Sequence, residues 1–138
     1  MTTIIQNKNI TIDGLNCNVF ATERPEVLLI QPSARHETKN DGINREVKVL
    51  ATTATKGFAI VFFDTVEWAK ALMPWQDEAV SRNEEVGKHA QDTLVYIEES
   101  LVPWLHERFG KLPCIIGGYS LGGLFALWAA RQSAAFCA

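Results

Sequence analysis

Apolar and polar residues alternate through Ile10, Ile12, Leu15, Cys17 and Val19, on either side of Asp13-Gly14. An Asp-Gly pair between alternating segments signals a tight turn, so residues 8–13 and 15–21 are predicted to form an antiparallel hairpin. Beyond Arg24-Pro25 the alternation gives way to the unbroken run Val27-Leu28-Leu29-Ile30. Such a run fits a strand covered on both faces, as in a parallel sheet. Phe58 to Phe63 and Cys114-Ile115-Ile116 read the same way.

Helical periodicity fills the intervals. Residues 44–56 carry Val47, Leu50, Ala51 and Ala54 on one face, with Gly57 as the stop. A longer stripe, Val86, Ala90, Leu94, Ile97, Leu101, Leu105 and Phe109, predicts a helix over 84–109. Pro103 is expected to kink it and Gly110 to close it. Leu121 to Gln132 reads as a final helix, apolar on most sides. Ser33 to Asn44 is polar and reads as a loop, as does the connection Asp64 to Arg82, which contains Trp68, Pro74 and Trp75. The order β-β-β-α-β-α-β-α predicts one α/β domain over residues 1–138. An N-terminal antiparallel hairpin joins a mostly parallel sheet with flanking helices and right-handed crossovers.

Composition narrows the function classes without choosing among them. A chain of 138 residues, 47% hydrophobic and 21% charged, is long enough to bury a core unaided. Thirteen basic against sixteen acidic residues give a net charge of −3, with no cluster of one sign, which argues against nucleic-acid and anionic-membrane partners. No signal peptide is visible at the start, and the apolar stretches are too short to cross a bilayer. Three cysteines, Cys17, Cys114 and Cys137, lack metal-ligand or redox-motif spacing. They read as reduced thiols in a cytoplasmic protein.

The chemistry-bearing stretch is Gly117-Gly118-Tyr119-Ser120-Leu121-Gly122-Gly123. It contains Gly-x-Ser-x-Gly, the pattern of a nucleophile elbow, in which a serine sits on a sharp strand-to-helix turn. The bare pattern is a weak signal, but here an apolar strand ends at it and an apolar helix begins within it. The plainer reading is a glycine turn in which Ser120 only caps the helix. A P-loop fails for want of the following Lys and Ser/Thr, and Gly-x-Gly-x-x-Gly cannot be fitted to the run.

With that motif, residues 27 to 136 resemble the first half of an α/β-hydrolase esterase, best from Gly117 to Leu127. Val66 to Trp75 is similar to a tryptophan-bracketed loop in a small bacterial branch of these esterases. The resemblance implies a serine carboxylesterase with Ser120 as nucleophile and the Leu121 backbone N–H as one oxyanion-hole donor. It also implies a small ester or thioester substrate and no metal or organic cofactor. The second donor usually comes from the loop after the strand at 27–31. This chain has Gln31-Pro32 where many relatives carry His-Gly, and proline has no N–H, which leaves Ser33 to Arg35. Tyr119, Trp68 and Trp75 are candidate binding residues. The two tryptophans would either wall a pocket or pack under the long loop, and Tyr119 would either bind or pack beneath the turn. Asp64, Asp77 and Glu78 read as caps or solvated charges.

In this fold the triad order is Ser, then Asp or Glu, then His, yet none of residues 121–138 is Asp, Glu or His. The histidines, His36, His89 and His106, all precede Ser120. His89 and His106 read as solvated or capping groups on the long helix, and His36 as the one in a loop near a central strand. Loss of the histidine alone costs a serine hydrolase roughly 10⁶ in kcat, so the chain alone is expected to be nearly inert. The strand at 113–117 has nothing after it to pair with its open side, and the final helix wants cover. Both predict burial against a second copy, a complementing C-terminal half, or further residues of the chain. The alternative is a catalytically silent, oligomerising α/β domain that keeps the elbow as architecture.

Overall fold

The Asp13-Gly14 turn joins β1 (Ile4–Ile12) to β2 (Leu15–Thr22) as an antiparallel hairpin in which Ile12 faces Leu15. Asp13 at φ 47 and Gly14 at φ 93 supply the two left-handed residues that a tight hairpin turn needs. The computed structural model describes residues 3–34, 42–76 and 86–137. Beyond the hairpin lie β3 (Val27–Ser33), β4 (Phe58–Asp64) and β5 (Cys114–Ile116), in a five-stranded sheet of order β1-β2-β4-β3-β5. β2 runs antiparallel to β4, and β3 is parallel to both β4 and β5.

β4 shows why an unbroken apolar run can be a strand. Phe58, Ile60 and Phe62 pack on one face of the sheet against Ile43, Val47 and Ala51 of α1 (Gly42–Thr53). Ala59, Val61 and Phe63 pack on the other face, among Leu94, Leu101, Leu105 and Phe125. The Phe20 and Phe62 rings meet edge-on at 6.0 Å. With a period of two, a strand between two helical layers must be apolar at every position.

The connection after β4 contains a short helix that periodicity did not show, α2 (Trp68–Leu72); five residues are too few for a stripe. The long helix starts later than its stripe, with His89 in the N-cap position of α3 (Ala90–Tyr96). Residues 84 and 85, Asp77 and Glu78 lie outside the described residues. The chain widens into a π-helical turn at Ile97–Leu101 and continues as α4 (Val102–Phe109). Pro103 has no N–H and its ring would press on the Glu99 carbonyl four residues back. The wide turn takes up that misfit where a kink was expected. Gly110, at φ 100, closes the helix, its N–H bonding to the His106 carbonyl at 2.9 Å.

Among the described residues β5 sits at the sheet edge, paired in register with β3 alone. On its open side the Cys137 N–H reaches the Cys114 carbonyl at 2.8 Å. After the turn at 117–120 comes α5 (Leu121–Gln132), which buries Phe125 and Ala129 and leaves Leu127 65% exposed. The three cysteines are free thiols. Among the described residues no helix is long and apolar enough to cross a membrane.

Candidate active site

β5 delivers the chain to the site. The Gly117 N–H bonds to the Ile30 carbonyl at 2.9 Å, so β3 still holds the strand end as it leaves the sheet. Three residues later Ser120 adopts φ 52, ψ −126. For a residue with a Cβ this is a sparsely populated conformation, costing on the order of 1–3 kcal/mol and persisting only where the surroundings impose it. The surroundings here are two glycines. A Cβ on Gly118 would lie 2.5 Å from the Gly122 backbone, and one on Gly122 would meet the Trp68 ring at 3.2 Å and the Pro32 ring at 3.4 Å. The spacing in Gly-x-Ser-x-Gly is thus the spacing at which the strand end and the helix start touch.

Ser120 does not act as a capping serine. Its carbonyl accepts the N–H groups of Gly123 at 3.0 Å and Leu124 at 3.2 Å, but its side chain makes no cap hydrogen bond and the residue is exposed. The capping role in the plainer reading of the turn is therefore absent. The N–H groups of Leu121 and Gly122 open α5 without intrahelical acceptors, at the positive end of the helix dipole.

The aromatic candidates divide. Trp68 is half-buried, lies against Gly122, and places its ring 5.8 Å from that of Tyr119 at 35°. Tyr119 is 49% exposed, so it flanks the turn where packing beneath it was the alternative. Trp75 is also 49% exposed, with its backbone against Gly87; among the described residues no contact brings it to the turn.

β3 forms the neighbouring wall. The Leu28 N–H bonds to Pro113 and the Ile30 carbonyl receives Gly117, so the even-numbered residues turn their backbone toward β5. Ser33 turns the other way: its carbonyl accepts the Thr65 N–H at 3.1 Å, and its hydroxyl donates to the Phe63 carbonyl at 3.2 Å. Ala34, the next residue, is buried, and Arg35 lies outside the described residues.

The described histidines have other neighbours. His106 places Nε2 3.7 Å from the Cys114 Sγ, at the end of β5 remote from Ser120. Burial, with Cys137 adding, pushes the Cys114 thiol up. His89 pairs through Nδ1 with Asp92 Oδ2 at 3.1 Å, the local role expected of a histidine at a helix start. His36 lies outside the described residues. Among those described, no cluster of His, Cys, Asp or Glu could hold a metal ion.

Comparison with known proteins places these features. A protein-family model, Esterase, described as "Putative esterase", matches residues 12–135. A search of curated proteins found no match. Among solved structures, an IroE-like serine hydrolase from Shewanella oneidensis matches at 15% identity with a TM-score of 0.69, over 92% of this chain and 46% of that one. A siderophore hydrolase, EstB from Aspergillus nidulans, matches at 16% identity with a TM-score of 0.57, over 95% and 53%. A cold-adapted esterase from an Arctic intertidal metagenomic library matches at 13% identity with a TM-score of 0.53, over 94% and 54%. The chain spans about half the length of these structures, and its mixed sheet with flanking helices is a partial α/β-hydrolase fold.

Proposed function

The chain belongs to the esterase family whose model spans residues 12–135, and from that premise we propose that Ser120 is the nucleophile of a serine hydrolase acting on small carboxylic esters or thioesters. The observation that carries this reading is Ser120 itself. It is strained at φ 52, exposed, and not spent on capping α5. Strain of this kind concentrates where chemistry needs a side chain presented in one direction.

The roles follow from the geometry. Ser120 Oγ attacks the carbonyl carbon while its proton passes to a base, and the carbonyl oxygen becomes an alkoxide. The Leu121 N–H, unclaimed within the helix, is one donor to that oxygen. Alternation along β3 supports the Ala34 N–H as the second donor. Pro32 shares its side of the strand but has no N–H, and Ser33 is turned to β4. The alkoxide collapses, the alcohol or thiol leaves with a proton, and water hydrolyses the acyl-serine. Trp68 and Tyr119 line the approach.

The base is the weak link. None of residues 121–138 is Asp, Glu or His, so in this reading the triad acid and base are not among them. The edge of β5 favours a covering surface, whether another copy, a complementing C-terminal half or further residues of the chain. Between that edge and α1 lies an apolar groove of about 530 Å³ walled by the exposed side chains of Val49 and Ile115. These same features favour one rival, a silent oligomerising domain.

Hydrolysis of p-nitrophenyl acetate separates the two. The hydrolase reading expects turnover that disappears in Ser120→Ala. Equal rates for the chain, the variant and the denatured protein would favour the silent domain.

A further inference from the structure

A second cleft opens at the same end of the sheet, around the C-terminal end of β4, with a volume of about 300 Å³. Such a volume is at the small end of ligand pockets, and its lining has the usual character: apolar walls with a few polar groups at the mouth. Leu15, Phe63, Ala71 and Tyr96 form the walls. Strand order separates β4 from β5 by one strand, β3. Trp68, whose ring reaches Gly122 and Tyr119, opens the helix that carries two of the cleft's lining residues, Lys70 and Ala71.

The mouth has a definite sign. Three carboxylates, Asp64, Glu67 and Asp92, stand beside Lys70 and His89. Lys70 already pairs with Glu67 at 3.4 Å and His89 with Asp92 at 3.1 Å. Whether His89 is charged or neutral, the carboxylates outnumber the cations among the described lining residues. One Asp64 oxygen takes the Val66 N–H at 2.9 Å, which fixes that carboxylate at the rim. Val66 itself is held at φ 60 and stays 54% exposed. A β-branched residue is a genuine outlier in that conformation, and here it puts an apolar side chain on the cleft. The Tyr96 hydroxyl donates to the Ile12 carbonyl at 2.8 Å and lies 3.5 Å from the Cys17 Sγ.

We propose that this cleft binds a small aryl or alkyl group carrying a protonated amine, the apolar part against Phe63 and Tyr96 and the ammonium at the carboxylate rim. We further assign it as the subsite for the part of the ester remote from the reacting carbonyl. That assignment rests on the reading of Ser120 as nucleophile; the binding itself does not.

The test uses 2-phenylethylammonium, with 2-phenylethanol and 3-phenylpropanoate as neutral and anionic comparators, followed by amide NMR shifts. The expected result is binding of the ammonium in the millimolar range, as befits so small a ligand, with shifts centred on Val66, Ala71 and Thr93. The order of affinity is ammonium, then alcohol, then carboxylate. Ala71→Phe, which fills the cleft, weakens all three by about tenfold or more. Asp92→Asn, at an exposed rim position, weakens only the ammonium, by about threefold, the scale of one exposed charge pair. The same binding persists in Ser120→Ala, so a failed nucleophile does not mask a working subsite. Equal affinity for the ammonium and the carboxylate, shifts away from these residues, or no binding would overturn the proposal. If Ala71→Phe does not fold, Asp92→Asn still decides the charge preference.

Discussion

β4 and β5 look alike as strings of apolar residues and differ in almost everything else. Each residue of β4 from Phe58 to Phe63 is buried, and the strand has a partner on both sides. β5 has three paired residues, one partner, and Ile115 at 44% exposed. β4 serves the stability of the domain, and β5 serves the turn that follows it. An apolar run announces a strand and leaves open whether that strand is central or at an edge.

The sharpest way to break this comparison is truncation on both strands. Phe62→Ala removes a fully buried ring and is expected to cost about 3–5 kcal/mol, read as a lower urea midpoint. Ile115→Ala should stay within about 0.5 kcal/mol, as at other surface positions. Equal losses would show that β5 is as covered as β4. Next in size is Gly118→Ala, whose methyl would collide with the Gly122 backbone. Overpacking of this kind costs about 1–3 kcal/mol. A neutral result by thermal melting would mean that the strand end and the helix start are not in contact.

A smaller effect lies on the β2 side of the central strand. The Tyr96 hydroxyl bonds to the Ile12 carbonyl at 2.8 Å and lies 3.5 Å from the Cys17 thiol. Tyr96→Phe should cost about 1 kcal/mol. Burial, foremost, pushes both the Cys17 thiol and the Tyr96 phenol up from their ordinary values of 9.0 and 10.0. The folded protein keeps protons that the unfolded chain gives up. Their contribution to stability is therefore complete below about pH 9 and falls as pH rises beyond it. Urea midpoints across the alkaline range should decline less steeply in Tyr96→Phe; an unchanged slope would contradict the assignment.

Most of the fold was legible because period and punctuation agreed. Asp13-Gly14 gave the hairpin, the stripe from Val47 to Ala51 gave α1, and Gly110 marked the end of α4. The short α2 was hidden because five residues carry no period. The π-helical turn before Pro103 was hidden because a proline announces a misfit without saying how the chain absorbs it. At the site, the motif located the turn and its two touching glycines, which need only local residues. Trp68 was read as either a pocket wall or packing under the long loop, and its contact with Gly122 depends on α2 folding back over the sheet. The acid-rimmed cleft could not be read at all, since Leu15, Asp64 and Asp92 come together only through the tertiary fold.

The central claim is that Ser120 is presented for attack by a strained turn and not merely retained there. Fluorophosphonate labelling followed by peptide mass analysis tests it most directly. The account predicts modification of the native chain at Ser120, faster than in the denatured chain and abolished in Ser120→Ala. Labelling no faster than in the denatured chain, or spread over other serines, would contradict it.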